Sequence, residues 1–96
     1  MAAYLIAEVD VTDAAAYEEY RKRAPATIAQ YGGKYLVRGG ATESKEGGWT
    51  PARLVILEFP SMEQARRWYD SPEYTPVRAF RQRASRSRLI FAEGLG

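Results

Sequence analysis

In the stretch AYLIAEVDV, Leu5, Ala7, Val9 and Val11 alternate with Tyr4, Ile6, Glu8 and Asp10. A period of two marks a strand with one packed face. The period then lengthens. Tyr17, Tyr20, Ala24, Ile28 and Tyr31 recur at steps of three and four, which predicts a helix with one packed stripe. Thr12 or Asp13 can cap its start by accepting a free amide hydrogen, and Gly32 or Gly33 can end it in a left-handed conformation. Pro25 falls inside this stretch and predicts a kink or a fresh segment, because it lacks an amide hydrogen and crowds the preceding turn.

Two further strands follow, KYLVRG (34–39) and ARLVILEF (52–59), joined by a polar, glycine-rich hairpin with a single Trp49. Ser61 and Gln64 form a capping box that opens a helix with Met62, Ala65, Trp68 and Tyr69 on one side. The corner YDSPEYTPVR contains Pro72 and Pro76. The first disfavours helix at Ser71 and the second suits a first helical turn. Val77, Phe80 and Ala84 then predict a short helix, and SRLIFAE (87–93) a last strand. The order β-α-β-β-α-(α)-β predicts a single α+β domain over residues 1–96. Its fold is ferredoxin-like, an antiparallel four-stranded sheet with helices on one face.

Helices cover only one side of such a sheet. Alternation assigns Leu5, Ala7, Val9, Tyr35, Val37, Val55, Leu57, Phe59, Leu89 and Phe91 to the helix side. The other face then carries Ile6, Leu36, Leu54, Ile56 and Ile90, where a solvated face would be mostly polar. An apolar patch of that size marks an interface, so a homodimer formed sheet to sheet is expected. The same face is assigned Glu8, Arg38, Glu58 and Arg88. Two readings stand for these charges. In one they line a wet cavity, with the planar fork of Arg38 gripping an anion and Glu58 or Glu8 acting as base after desolvation raises its pKa. In the other they are structural ion pairs, which mimic functional sites.

Composition narrows the chemistry. There is no cysteine and no histidine, which removes disulfides, thiolate nucleophiles, Cys/His zinc sites and the commonest general base. No cofactor or metal is expected. The net charge is +2. Arg78, Arg81, Arg83, Arg86 and Arg88 form a run without an acid among them, yet RLVILEF lacks the aromatic pair on which RNA-binding sheets stack bases, so nucleic acid is not expected. Neither is a membrane, because no apolar run reaches spanning length. Met1 leads straight into a strand pattern, and a cytoplasmic location is expected.

The runs YGGKYLVRGG, LEFPS and WYDSPEY, within a pattern covering nearly the whole chain, resemble the domain-of-unknown-function 1330 family. That resemblance implies a dimeric α+β barrel of ferredoxin-like subunits, similar in fold to antibiotic-biosynthesis monooxygenases and muconolactone isomerases. It directs attention to Tyr31, Gly32, Gly33, Arg38, Gly39, Gly40, Glu58, Trp68, Tyr69, Ser71, Pro72, Glu73 and Tyr74. The combined expectation is a protein that binds a small anionic or oxygenated molecule between sheet and helices. Arg38, Tyr31, Trp68, Tyr69, Glu73 and Tyr74 are expected to bind it, and Glu58, Glu8 and Arg38 to carry any cofactor-independent proton transfer, isomerisation or oxygenation. The alternative is a non-catalytic binding or interaction module.

Overall fold

The computed structural model describes residues 1–96. The elements are β1 (Ala3–Val11), α1 (Ala14–Gln30), β2 (Lys34–Arg38), β3 (Leu54–Phe59), α2 (Met62–Tyr69), α3 (Thr75–Ala84) and β4 (Ser85–Glu93). The sheet order is β2-β3-β1-β4, and every neighbouring pair is antiparallel. This is the ferredoxin-like arrangement that the sequence predicts.

The caps follow from local chemistry. Asp13 precedes α1 in extended conformation and accepts the Ala16 amide at 3.2 Å. Ser61 accepts the Gln64 amide at 3.0 Å. The expected capping box is only half made, however, because the Gln64 side chain donates to the Tyr31 carbonyl at 3.0 Å. Gln64 therefore ties α2 to the end of α1 instead of closing its own turn.

Pro25 does not start a new segment, since the helix runs unbroken through it. The cost is local. In an α-helix the amide of residue 25 would bond the carbonyl of residue 21, and proline leaves that carbonyl without a helical donor. The guanidinium of Arg38, arriving from β2, donates to Arg21 O at 3.0 Å and fills the gap.

The core lies between the helices and one sheet face. Leu5, Ala7 and Val9 of β1 and Leu57 and Phe59 of β3 are buried against Ile28, Trp68, Tyr74 and Val77. Trp68 is its centre, stacked on Tyr74 with ring centroids 4.0 Å apart and lying 5.2 Å from Phe59. Its indole N–H donates to Thr27 Oγ1 at 3.1 Å, so the polar edge of a large buried ring is satisfied.

The quoted corner is built by Ser71, whose hydroxyl donates to Trp68 O at 2.7 Å and accepts the Tyr74 amide at 3.0 Å. It is a turn that presses Tyr74 inward to 1% exposure. The connection between β2 and β3 contains no strand of its own. The expected hairpin is made by the antiparallel β2 and β3, joined through a long irregular loop whose run of Gly, Ser, Lys and Glu offers no apolar alternation to pair.

One feature overturns the predicted faces. Tyr35 pairs with Leu57, but Val37 pairs with Ile56 and Arg38 with Val55, a bulge of one residue. An extra residue in one strand switches every later side chain to the other face. Val37 thus leaves the helix side and joins the open face, while Arg38 makes the opposite move.

Candidate functional site

The space between sheet and helices is lined by Leu5, Ala7 and Val9 of β1 and by Ile28, Leu57 and Trp68 at its apolar end. Its polar lining is made of tyrosines and arginines: Tyr17, Tyr20, Tyr35 and Tyr74 with Arg21, Arg38, Arg53 and Arg81. No carboxylate is among the lining residues. The enclosed cavity is small, about 30 Å³. A volume of that size has room for a water molecule. A ring-sized guest needs this space to widen.

Register explains why the arginines meet. Arg38 lies opposite Val55, Val55 opposite Ala7 and Ala7 opposite Leu89, all facing the helices. One step along, Val9 donates its amide to the Arg53 carbonyl at 2.8 Å, and it faces Ser87 on its other side. Arg81 reaches that same row from the last turn of α3 and donates from Nη1 to Ser87 Oγ. Arg53 and Ser87 flank β1 two strand spacings apart, about 10 Å.

The guanidiniums rest on aromatic faces rather than on acids. Arg38 Cζ is 4.6 Å from the Tyr35 ring centroid and Arg53 Cζ 5.6 Å from that of Tyr17. Gly39 makes room for Arg53, since a Cβ there would stand 2.4 Å from Arg53 Nη1. None of Arg38, Arg53 and Arg81 pairs with a carboxylate. Arg53 Nε and Arg81 Nε are buried without any hydrogen-bond partner. Arg81 is only 5% exposed, and a buried cation without an anion is costly.

The Tyr20, Tyr35 and Tyr74 hydroxyls stay protonated. Burial pushes Tyr20 well above its ordinary pKa, reinforced by Tyr74, and burial likewise raises Tyr74 and Tyr35. The Tyr20 and Tyr74 hydroxyls lie 2.8 Å apart in one hydrogen bond. The cavity therefore presents N–H and O–H donors. Such a lining can hold or stabilise an anion and offers no carboxylate or imidazole base.

The residues singled out from sequence divide between this cavity and two other places. Arg38, Trp68 and Tyr74 line it, Arg38 by virtue of the bulge and not on the face first assigned to it. Tyr74, 1% exposed, belongs to its inner wall. Tyr69 packs edge-on against Phe91 at 5.8 Å and under Arg78 at 4.4 Å, outside the lining. Tyr31 and Glu73 bind each other instead, with Tyr31 Oη donating to Glu73 Oε1 at 2.6 Å. The hydrogen bond from Tyr31 holds the Glu73 carboxyl below its usual range, and the acceptor raises the phenol in turn.

Glu8 and Glu58 lie on the open face. Glu8 accepts from Arg88 Nε at 3.1 Å and from Trp49 Nε1 at 3.2 Å, and Arg88 foremost holds its carboxyl below the usual range. Glu58 accepts from Tyr4 at 3.2 Å and meets Lys34 Nζ at 3.2 Å. Since Glu58 faces Tyr4 and Leu54 faces Glu8, the two carboxylates stand four residues apart along the strands, about 13 Å. The trio Glu8, Arg38 and Glu58 is thus not one constellation within a protomer. The sequence reading missed Tyr20, Arg53 and Arg81. Arg81 had a signal: it sits between Val77 and Ala84 at steps of four and three, a core position filled by an arginine.

Pro25 bears on the mouth of this cavity. Pro25→Ala is expected to give Arg21 O a helical donor, raise helix stability by about 1–3 kcal/mol and release Arg38. A thermal unfolding curve should move upward, and a crystal structure should show Arg38 detached. An unchanged Arg38 would mean that the carbonyl does not hold it.

A four-stranded antiparallel sheet with helices on one face, enclosing a donor-lined cavity, defines a ferredoxin-like α+β protein. The chain belongs to the family described as domain of unknown function (DUF1330), whose model matches residues 2–95. Among solved structures it is similar to the RPA0582 protein of unknown function from Rhodopseudomonas palustris. The TM-score is 0.79 at 22% identity, covering 99% of this chain and 83% of that one. It is also similar to SnoaB, a cofactor-independent oxygenase from Streptomyces nogalater, with a TM-score of 0.68 at 14% identity over 99% and 94% of the two chains. A dimeric ferredoxin-like protein of unknown function from Jannaschia sp. CCS1 gives a TM-score of 0.71 at 8% identity, over 98% and 100%. No curated protein sequence matches the chain. No helix is long and apolar enough to cross a membrane.

Proposed function

We propose that this protein binds a small, acidic or oxygenated organic molecule in the cavity between sheet and helices and stabilises it as an anion. The observation that carries the reading is an apolar cavity whose polar lining consists of four arginines and four tyrosines without a carboxylate. A substrate acidic enough to ionise by itself needs no base from the cavity walls. Oxygenation or isomerisation of an enol belongs to that class, and SnoaB, described as a cofactor-independent oxygenase, shares the fold. The position of Glu8 and Glu58 on the far face speaks for binding and anion stabilisation over proton abstraction by either residue.

A thermal-shift screen of small carboxylates, lactones and phenols, run on wild type and Arg38→Ala, tests this. A ligand at a hundredfold excess over its Kd stabilises the folded state by about 2.7 kcal/mol. Acids and phenols are expected to raise the wild-type midpoint, and Arg38→Ala to lessen the rise. If no compound of the three classes shifts wild type, the reading fails.

We further propose that two subunits associate through their open sheet faces, a reading supported by an apolar belt. Val37, Ile56, Ile6 and Ile90 lie opposite one another in a row across all four strands. Ile90 and nearby Leu36 are 60% and 49% exposed, more than a monomer gains by leaving bare. Rows bearing Lys34 and Glu58 on one side and Glu8 and Arg88 on the other border the belt.

A further inference from the structure

Arg81 is an exception to how charges are buried. A guanidinium sealed from solvent is ordinarily matched by a carboxylate, yet Arg81 has only neutral neighbours: Nη1 donates to the Ser87 hydroxyl, the Tyr74 hydroxyl lies beside the guanidinium, and Nε is buried and unpartnered. It lies on the packed stripe of α3 between Val77 and Ala84 and faces the same cavity as Trp68 and Leu5. With Nη1 committed to Ser87, the unpartnered Nε belongs to the other edge of the fork, the one it forms with Nη2. That edge presents two parallel N–H groups, the spacing that matches the two oxygens of a carboxylate. Beside it, Tyr20 and Tyr74 share one hydrogen bond between two hydroxyls, so one of the two O–H protons is free to donate as well.

We propose that Arg81 is the anchor of the ligand's acidic group, taking a planar two-oxygen anion, a carboxylate on a small apolar ring, through its Nε–Nη2 edge. The proposal rests on the binding reading above and specifies which residue selects the ligand and for what. The ring then lies along Leu5, Ala7 and Leu57 toward Trp68. Arg38 and Arg53 stand on the opposite side of β1 and attract anions to the mouth without fixing their orientation. Arg53, although its Nε is also unpartnered, is only half-buried, and so a weaker anchor.

Calorimetric titration of wild type, Arg81→Met and Arg81→Lys with benzoate and with benzamide, a neutral near-isostere, tests the assignment. Wild type is expected to bind benzoate at least tenfold more tightly than benzamide. Arg81→Met should bring the ratio close to one, and Arg81→Lys, which keeps the charge and loses the fork, should fall between. Arg81→Met is expected to melt no lower than wild type, because it removes an unpaired buried charge. A purely structural arginine would lower the melting point instead. If Arg81→Met unfolds, Arg81→Lys decides: a wild-type ratio there overturns the anchor. The anchor is also overturned if wild type binds the two probes equally. Should benzoate fail to bind while phenols or lactones still shift the melting point, Arg81 is not a carboxylate anchor but the wider binding reading survives.

Discussion

Trp68→Ala is expected to leave a protein that is unfolded or close to it at 37 °C. The indole is 1% exposed, stacks on Tyr74, packs on Phe59 and bonds Thr27. Truncating a buried aromatic of this size costs about 3–5 kcal/mol, against a total stability of about 5–15 kcal/mol for a typical domain. Each kcal/mol lowers the midpoint by about 4–8 °C in a chain of this length. Two secondary losses add to the cavity term. Thr27 loses a donor at a buried site, and Tyr74 loses the ring that fixes its hydroxyl against Tyr20. Trp68→Phe should recover much of the stability, while leaving Thr27 without the indole hydrogen. Circular dichroism melts of the three proteins check this. A Trp68→Ala protein that melts near wild type would mean that the helices pack on the sheet differently from the arrangement described.

Ile56→Lys is expected to abolish self-association while leaving the fold intact. Ile56 sits on β3 between Val37 and Ile6 in the apolar row of the open face, and its side chain takes no part in the helix-side core. In a monomer, lysine at this half-buried position can extend its ammonium to water along its own stem. Across a sheet-to-sheet contact the same charge would be buried opposite another isoleucine row without a partner, a cost no rim contact offsets. Light scattering should read twice the chain mass for wild type and the chain mass for the variant, with near-equal circular dichroism. A variant that stays dimeric would place the contact on another surface, and a monomeric wild type would end the idea.

The order of elements, the Asp13 and Ser61 caps and the turn at Ser71 were legible because each depends on neighbours a few residues away. The face of Arg38 was not. Nothing in KYLVR marks a bulge; no glycine or proline interrupts it, and the extra residue is required by pairing with a strand twenty positions on. Strict alternation therefore sent Val37 and Arg38 to the wrong sides, and the supposed charge cluster followed. Pro25 misled for a related reason: its local penalty is real, but a side chain from another strand meets the carbonyl it orphans. Arg81 was hidden by type. Its spacing is that of a core residue, and only its chemistry suggested a surface one.

The absence of any acid or imidazole from the cavity has a consequence for how a bound molecule would report on acidity. Guanidiniums keep their charge throughout the accessible range, and Tyr20, Tyr35 and Tyr74 are held above the ordinary phenol value of about 10, so from about pH 5 to pH 9 the protein side of the encounter is electrically constant. Whatever titration curve the affinity traces belongs to the guest. Binding should strengthen tenfold per pH unit up to the guest's own pKa and then level off. The position of that bend would give the acidity of an unidentified ligand before its structure is known.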